Sequence, residues 1–116
     1  SPEAVWAYRI ARALRPNNPV VLLRLGLALF ESGDRNEAVG LFREMAQLYP
    51  HIPHAHINLA VALLRADDFD GALAAARTAV RLFPREYFAH LVLGDTLHLK
   101  GDFVGAARSH RDAIEI

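Results

Sequence analysis

Six histidines are the side chains of this 116-residue chain with the clearest capacity for chemistry: His51, His54, His56, His90, His98 and His110. Neutral imidazole is a common metal ligand, so a metal centre is the first possibility to weigh. His54 and His56 stand two positions apart, which on a helix points them to different faces. His54 and His98 come from distant segments, and neither a cysteine nor a tight carboxylate cluster joins them. A closed zinc site calls for four ligands at ordered spacing, and this pattern does not supply them. No metal or other cofactor is expected. His56 and His90 fall instead at equivalent positions of an apolar column, where each needs a hydrogen-bond partner if buried. Nucleophile–base arrangements, phosphate-binding glycine loops and dinucleotide fingerprints are also missing, so no catalytic site is expected within the chain.

The arginines are more informative, through their spacing. Arg9, Arg43, Arg77 and Arg111 recur at a constant interval of 34 residues. A positively charged rail for an acidic partner is the sharper reading. A solvated helix face is the plainer and favoured one, because Glu44 and Asp112 neighbour two of these arginines and exposed charge is the default there.

The same interval governs everything else. Leu25–Gly26–Leu27–Ala28–Leu29 returns as Leu59–Ala60–Val61–Ala62–Leu63 and again as Leu93–Gly94–Asp95–Thr96–Leu97. Gly33–Asp34 returns as Asp67–Asp68 and Gly101–Asp102, and Ala38 as Ala72 and Ala106. A fixed period without insertions is the mark of stacked supersecondary units. Charges balance at 13 positive and 13 negative, which removes the basic footprint of a nucleic-acid binder. Twelve of the positive residues are Arg and only Lys100 is Lys, favouring fixed pairing with carboxylates. No apolar run approaches the roughly 20 residues that span a bilayer, so membrane insertion is not expected.

Taken in order, residues 1–18 read as the second helix of a truncated repeat. Ser1–Pro2–Glu3 starts it, Ala4, Tyr8, Ala11 and Leu14 form its packing stripe, and Pro16 ends it. Trp6 lies off that stripe, where it is expected to help cover an apolar face. Residues 19–52 and 53–86 are full repeats opened by Pro19 and Pro53, each at a position where its missing N–H costs nothing. Leu22, Leu25, Gly26 and Leu29 pack against Ala38, Phe42, Met45 and Leu48. Gly33 supplies a left-handed helix stop, and Asp34 with Glu37 has capping-box spacing. In the next repeat Asp67 must hold the left-handed position and Gly71 removes the partner of Asp68. With its small face of Ala72, Ala76, Ala79 and Leu82, this repeat carries the weakest local signals. Residues 87–116 form a last repeat, C-terminally truncated. The fold expected is all-α, with about seven helices in antiparallel pairs.

Residues at these positions, over essentially the whole chain, resemble the tetratricopeptide repeat family. The resemblance implies a right-handed superhelical solenoid in which the first helix of each pair lines a concave groove that binds protein or peptide. Carried onto this sequence, the groove columns are Val20, His54 and Phe88; Leu23, Ile57 and Leu91; Arg24, Asn58 and Val92; Leu27, Val61 and Asp95; with His98 beside Phe30 and Leu64. Two columns are nearly all apolar, which suits an extended or helical apolar segment lying along Leu23, Ile57 and Leu91. A carboxylate clamp is argued against, since only Asn58 among Leu23, Leu27, Asn58, Phe88 and Val92 carries a suitable group. The stretch Ala55–His56–Ile57–Asn58–Leu59–Ala60 also resembles repeats in the arm of O-linked N-acetylglucosamine transferases. Three functions are therefore carried forward: an interaction scaffold, the substrate-recruiting arm of a larger enzyme such as a bacterial glycosyltransferase, and a module that pairs with itself through exposed ends or groove. A cytoplasmic location is the expectation for all three.

Overall fold

The computed structural model describes residues 1–116. Seven helices follow in order: α1 (Pro2–Leu14), α2 (Pro19–Glu31), α3 (Arg35–Leu48), α4 (Pro53–Arg65), α5 (Phe69–Leu82), α6 (Tyr87–Leu99) and α7 (Phe103–Ile114). They form two compact units, Ser1–Pro50 with α1 to α3 and His51–Ile116 with α4 to α7.

The turns within the helix pairs are set by one backbone device. Gly33, Asp67 and Gly101 adopt φ of +87°, +60° and +88°. At each, the next amide reaches back five residues: Asp34 N–H to Leu29 carbonyl at 2.8 Å, Asp68 to Leu63 and Asp102 to Leu97 at 2.9 Å. This is the Schellman closure, which satisfies carbonyls the helix end would otherwise leave orphaned. Asp67 does the work of glycine, as expected of a residue that tolerates the left-handed region. Helix starts follow the sequence in α1, where the Ser1 hydroxyl accepts from Ala4 N–H at 3.3 Å, and in α2, where Asn18 accepts from Val20 and Val21.

The expected capping box of α3 does not form. Asp34 makes no side-chain cap. Glu37 turns instead to Arg9 of α1, taking two hydrogen bonds of 2.6 and 2.9 Å. A bidentate charge-assisted pair is stronger than a bond to one backbone N–H, so the carboxylate goes there. Conversely, Asp68 caps α5 through Gly71 N–H at 2.9 Å despite losing its box partner, and Asp102 caps α7 through Gly105 in the same way. A Cβ on Gly71 would stand 2.4 Å from the Asp68 carboxylate, so the bare glycine makes room for this cap.

In the first unit, Leu22, Leu25 and Leu29 of α2 are buried against Ala38, Phe42 and Met45 of α3. Gly26 lets the Phe42 ring lie flush on its backbone, since an added Cβ would meet ring carbon Cε2 at 2.7 Å. Leu48 lies in the last turn and is half-exposed. The stripe expected on α1 is corrected in part. Ala4, Tyr8 and Ala11 are half-buried, but Leu14 is 78% exposed and the buried residue is Val5. Nine positions separate Val5 from Leu14, which at 100° each puts them on opposite sides of the helix. Trp6 covers nothing and is 70% exposed.

In the second unit a layer of methyl groups joins α4, α5 and α6: Ala60, Ala76, Ala79 and Ala89, with Ile57 and Val92 beside them. Leu82, expected on this face, is half-exposed at the helix end. Between α6 and α7, Gly94 backs onto His110, whose Cδ2 would lie 2.3 Å from an added Cβ. Thus the pairs Gly26–Phe42 and Gly94–His110 match a missing side chain with a ring, while Ala60 shares its layer with the small Ala76.

Candidate interaction surface

The first helices of the pairs, α2, α4 and α6, carry every residue that the sequence assigns to a groove. On α2, Val20 is 59% and Leu27 42% exposed, Arg24 is exposed, and Leu23 is half-buried. Arg24 and Leu27, with Ala4, Tyr8, Ala28 and Glu31, line an open concavity of about 210 Å³ between α1 and α2. Tyr8 and Ala4 were assigned only to packing by the sequence. Both are half-buried on α1 and complete this lining.

On α4 and α6 the expected surface divides. Phe88 is 48% exposed, and His54 meets its ring edge-on at 5.9 Å between centroids. Tyr87 approaches Phe88 from another side at 5.1 Å, so three rings make one exposed aromatic cluster. Aromatic pairs favour such edge-to-face contacts, which hold the rings in place without burying them. Asn58, Val61 and Leu91 are half-buried. Ile57 and Val92 are 5% exposed and belong to the alanine layer. A line along Leu23, Ile57 and Leu91 therefore loses its middle member as a contact residue, because the side chain of Ile57 packs inward.

Two further candidates are already engaged. Asp95 meets His110 Nε2 at 3.0 Å, and His98 stacks edge-on against Phe103 at 5.1 Å. The histidines expected in the core differ in depth. His90 is buried, its Nε2 2.6 Å from the Pro84 carbonyl, an acceptor that calls for the Nε2–H tautomer. His56 is half-buried against the Phe83 ring. Val92, which shares a column with Arg24 and Asn58, is apolar and buried.

Charges on the outer helices pair across helices. Arg9 binds Glu37, Arg12 binds Glu44 at 2.7 Å, and Lys100 binds Asp70. The Arg9 guanidinium holds the Glu37 carboxyl below its ordinary range, and Lys100 does the same for Asp70. No helix is long and apolar enough to cross a membrane.

Two tetratricopeptide repeat models match, one over residues 29–92 and one over residues 1–53. Among solved structures, the chain is similar to MamA from Desulfovibrio magneticus RS-1, with a TM-score of 0.83 and 24% identity, covering 98% of this chain and 64% of that one. It is likewise similar to MamA of MSR-1, with a TM-score of 0.77 and 25% identity over 96% of this chain and 64% of the other. A further MamA structure gives 0.79 and 26% over 97% and 62%. The chain thus spans under two thirds of the length of these structures. A comparison with curated proteins gives no match.

Proposed function

Because this chain belongs to the tetratricopeptide repeat family, whose arrays are protein-interaction scaffolds, we propose that it binds a peptide or protein segment through exposed first-helix faces, that of α2 in the first unit and those of α4 and α6 in the second. The observation that carries the reading is the exposure of Val20 and Leu27 on α2 and of Phe88 on α6. Large apolar side chains left open on first helices are costly in water unless a ligand uses them. Arg24, His54, Asn58 and Asp95 stand beside them and supply polar contacts. Half-buried Leu23 lies on α2 in the first unit; in the second, half-buried Val61 and Leu91 lie on α4 and α6, with Ile57 and Val92 buried beneath. The ligand this surface suits is an apolar segment with an aromatic or aliphatic anchor and interspersed polar groups.

The test is selection of displayed random peptides against the chain, followed by binding titrations with Leu27→Ser and Phe88→Ser variants. Enriched peptides should carry apolar anchors, and each substitution should weaken them at least about tenfold, the scale of a lost anchor. Full affinity in both variants would mean that the ligand binds elsewhere.

A further inference from the structure

Helices α1 and α3 both pack on α2 and are bridged across it by charge. Arg9 of α1 takes Glu37 in a fork of two hydrogen bonds, and Arg12 takes Glu44. Glu37, Gly40 and Glu44 follow at helical spacing, so this stripe is the side of α3 that faces α1. Beside these pairs Arg9, Arg12, Ala13, Pro16 and Leu25 line an open cavity of about 370 Å³. Two repeats onward, α5 and α7 pack on α6 in the same way. The lining positions there hold Arg77, Val80, Arg81, Pro84 and Leu93, and the facing stripe of α7 holds Gly105, Arg108 and Asp112.

This second slot has lost an acceptor and gained cations. Gly105 takes the place of Glu37, and its bare Cα admits the capping carboxylate of Asp102, from which an added Cβ would stand 2.5 Å. Asp112 takes the place of Glu44, but Arg108 stands where Gly40 did and Arg81 where Ala13 did. Asp34, whose charge also acts on Arg9, has its equivalent in Asp102. The first slot thus sets two arginines against three carboxylates, and the second sets three arginines against two. Arg77, Arg81 and Arg108 are exposed, while the nearby acids Asp70 and Asp95 are held by Lys100 and His110. Arg77 and Arg81 stand four residues apart on α5, where like charges face and repel each other.

We propose that the slot between α5 and α7 docks an acidic segment of another protein, whose Asp or Glu side chains supply what Glu37 and Glu44 supply in the first unit. One carboxylate meets the Arg77 fork as Glu37 meets that of Arg9, and a second reaches Arg81 and Arg108. A guanidinium binds a carboxylate through parallel hydrogen bonds of fixed geometry, which favours such a ligand over a diffuse counter-ion. The slot is formed chiefly by second helices, so it is not the first-helix surface assigned above to an apolar ligand.

The probe is a fluorescein-labelled peptide of Glu and Asp interspersed with Ala, compared with its Gln and Asn counterpart by fluorescence anisotropy. The acidic peptide should bind and the uncharged one should not. Raising the salt from about 10 mM to about 150 mM should loosen the complex several-fold. Arg77→Gln, Arg81→Gln and Arg108→Gln should each weaken it about two- to fivefold, the scale of one exposed charge pair, while Arg15→Gln in the first unit changes nothing. Gly105→Glu restores within the chain the carboxylate that Glu37 provides. It should occupy Arg77 and lower peptide affinity as far as Arg77→Gln does. Gly105→Gln, which disturbs the Asp102 cap equally, should leave affinity unchanged. The arginine variants carry the test alone if either glycine variant unfolds. An acidic peptide that binds no better than the uncharged one, affinity indifferent to Arg77→Gln and Arg81→Gln, or equal effects of Gly105→Glu and Gly105→Gln would each overturn the proposal. Oligothymidylate bound as tightly as the acidic peptide would overturn the choice of a protein segment.

Discussion

Arg9 on α1 and Glu37 on α3 are joined by two parallel hydrogen bonds of 2.6 and 2.9 Å, a fork-to-fork pair between residues 28 positions apart. This pair gives the first unit a tie that does not pass through its apolar core. Its side chains are nearly half-exposed, which limits its worth to about 0.5–1 kcal/mol in spite of its geometry.

Glu37→Gln should therefore lower the stability of the chain by about 1 kcal/mol or less at neutral pH, as measured by urea unfolding. The Glu37 carboxyl is held below its ordinary value of 4.5, first by its hydrogen bond to Arg9. Its contribution is then fully present above that value and is lost as the pH falls through the lowered one. The stability gap between wild type and variant should close below pH 4.5 and stay constant above it. A gap unchanged in acid would mean that the pair contributes nothing.

Three glycines in helices should respond differently to alanine. Gly40 of α3 has open space where a Cβ would go, so Gly40→Ala should stabilise by about 0.5–1 kcal/mol through helix propensity. Gly71→Ala should gain little or nothing, because the new methyl displaces the capping carboxylate of Asp68, a loss of about 1 kcal/mol. Introducing Gly71→Ala after Asp68→Ala should recover the full gain. Equal gains at Gly40 and Gly71 in the wild-type background would contradict the capping role.

Gly94→Ala is the severe case. Its methyl would overlap the His110 ring, and overfilling a packed contact costs about 1–3 kcal/mol. Shortening the ring should relieve it, so the pair Gly94→Ala with His110→Ala should be more stable than Gly94→Ala alone. Thermal unfolding of the three variants decides the matter.

Ile57 and Phe88 separate core from surface. Ile57→Ser should destabilise by about 2–4 kcal/mol, for it empties a site in the alanine layer and buries a hydroxyl. Phe88→Ser should change stability by about 0.5 kcal/mol or less, as an open surface position does. Comparable losses at both would place Phe88 in the core.

The helices, their turns and most of the core were legible because they depend on residues close in sequence. Proline at helix starts and the left-handed Gly33, Asp67 and Gly101 follow from local rules and a fixed period, whereas the close approach expected at Gly26 is made by the Phe42 ring and not by a helix backbone. Glu37 was misplaced for a physical reason: three positions after Asp34 it fits a cap equally well, and only the position of α1 brings the stronger donor of Arg9 near. Leu14 was misplaced because α1 carries apolar residues on two sides, and periodicity alone does not say which side meets α2. The exposure of the candidate surface residues was the least legible. Ile57 and Val92 are buried and Phe88 is exposed because of how α4, α5 and α6 pack on one another, which spacing along one helix does not determine.

The alanine layer of the second unit has a consequence for how the chain can vary. Methyl groups have no rotamers to exchange, so a larger residue at Ala60, Ala76, Ala79 or Ala89 must be accommodated by the few larger side chains around the layer, Ile57, Val92 and the partly buried Val61, Leu64, Val80 and Leu93. The leucines, phenylalanine and methionine of the first unit can trade volume with one another. Mutational latitude is thus unequally distributed. Under selection for folding alone, the core of α2 and α3 is free to drift in composition, while that of α4 to α6 is held nearly still.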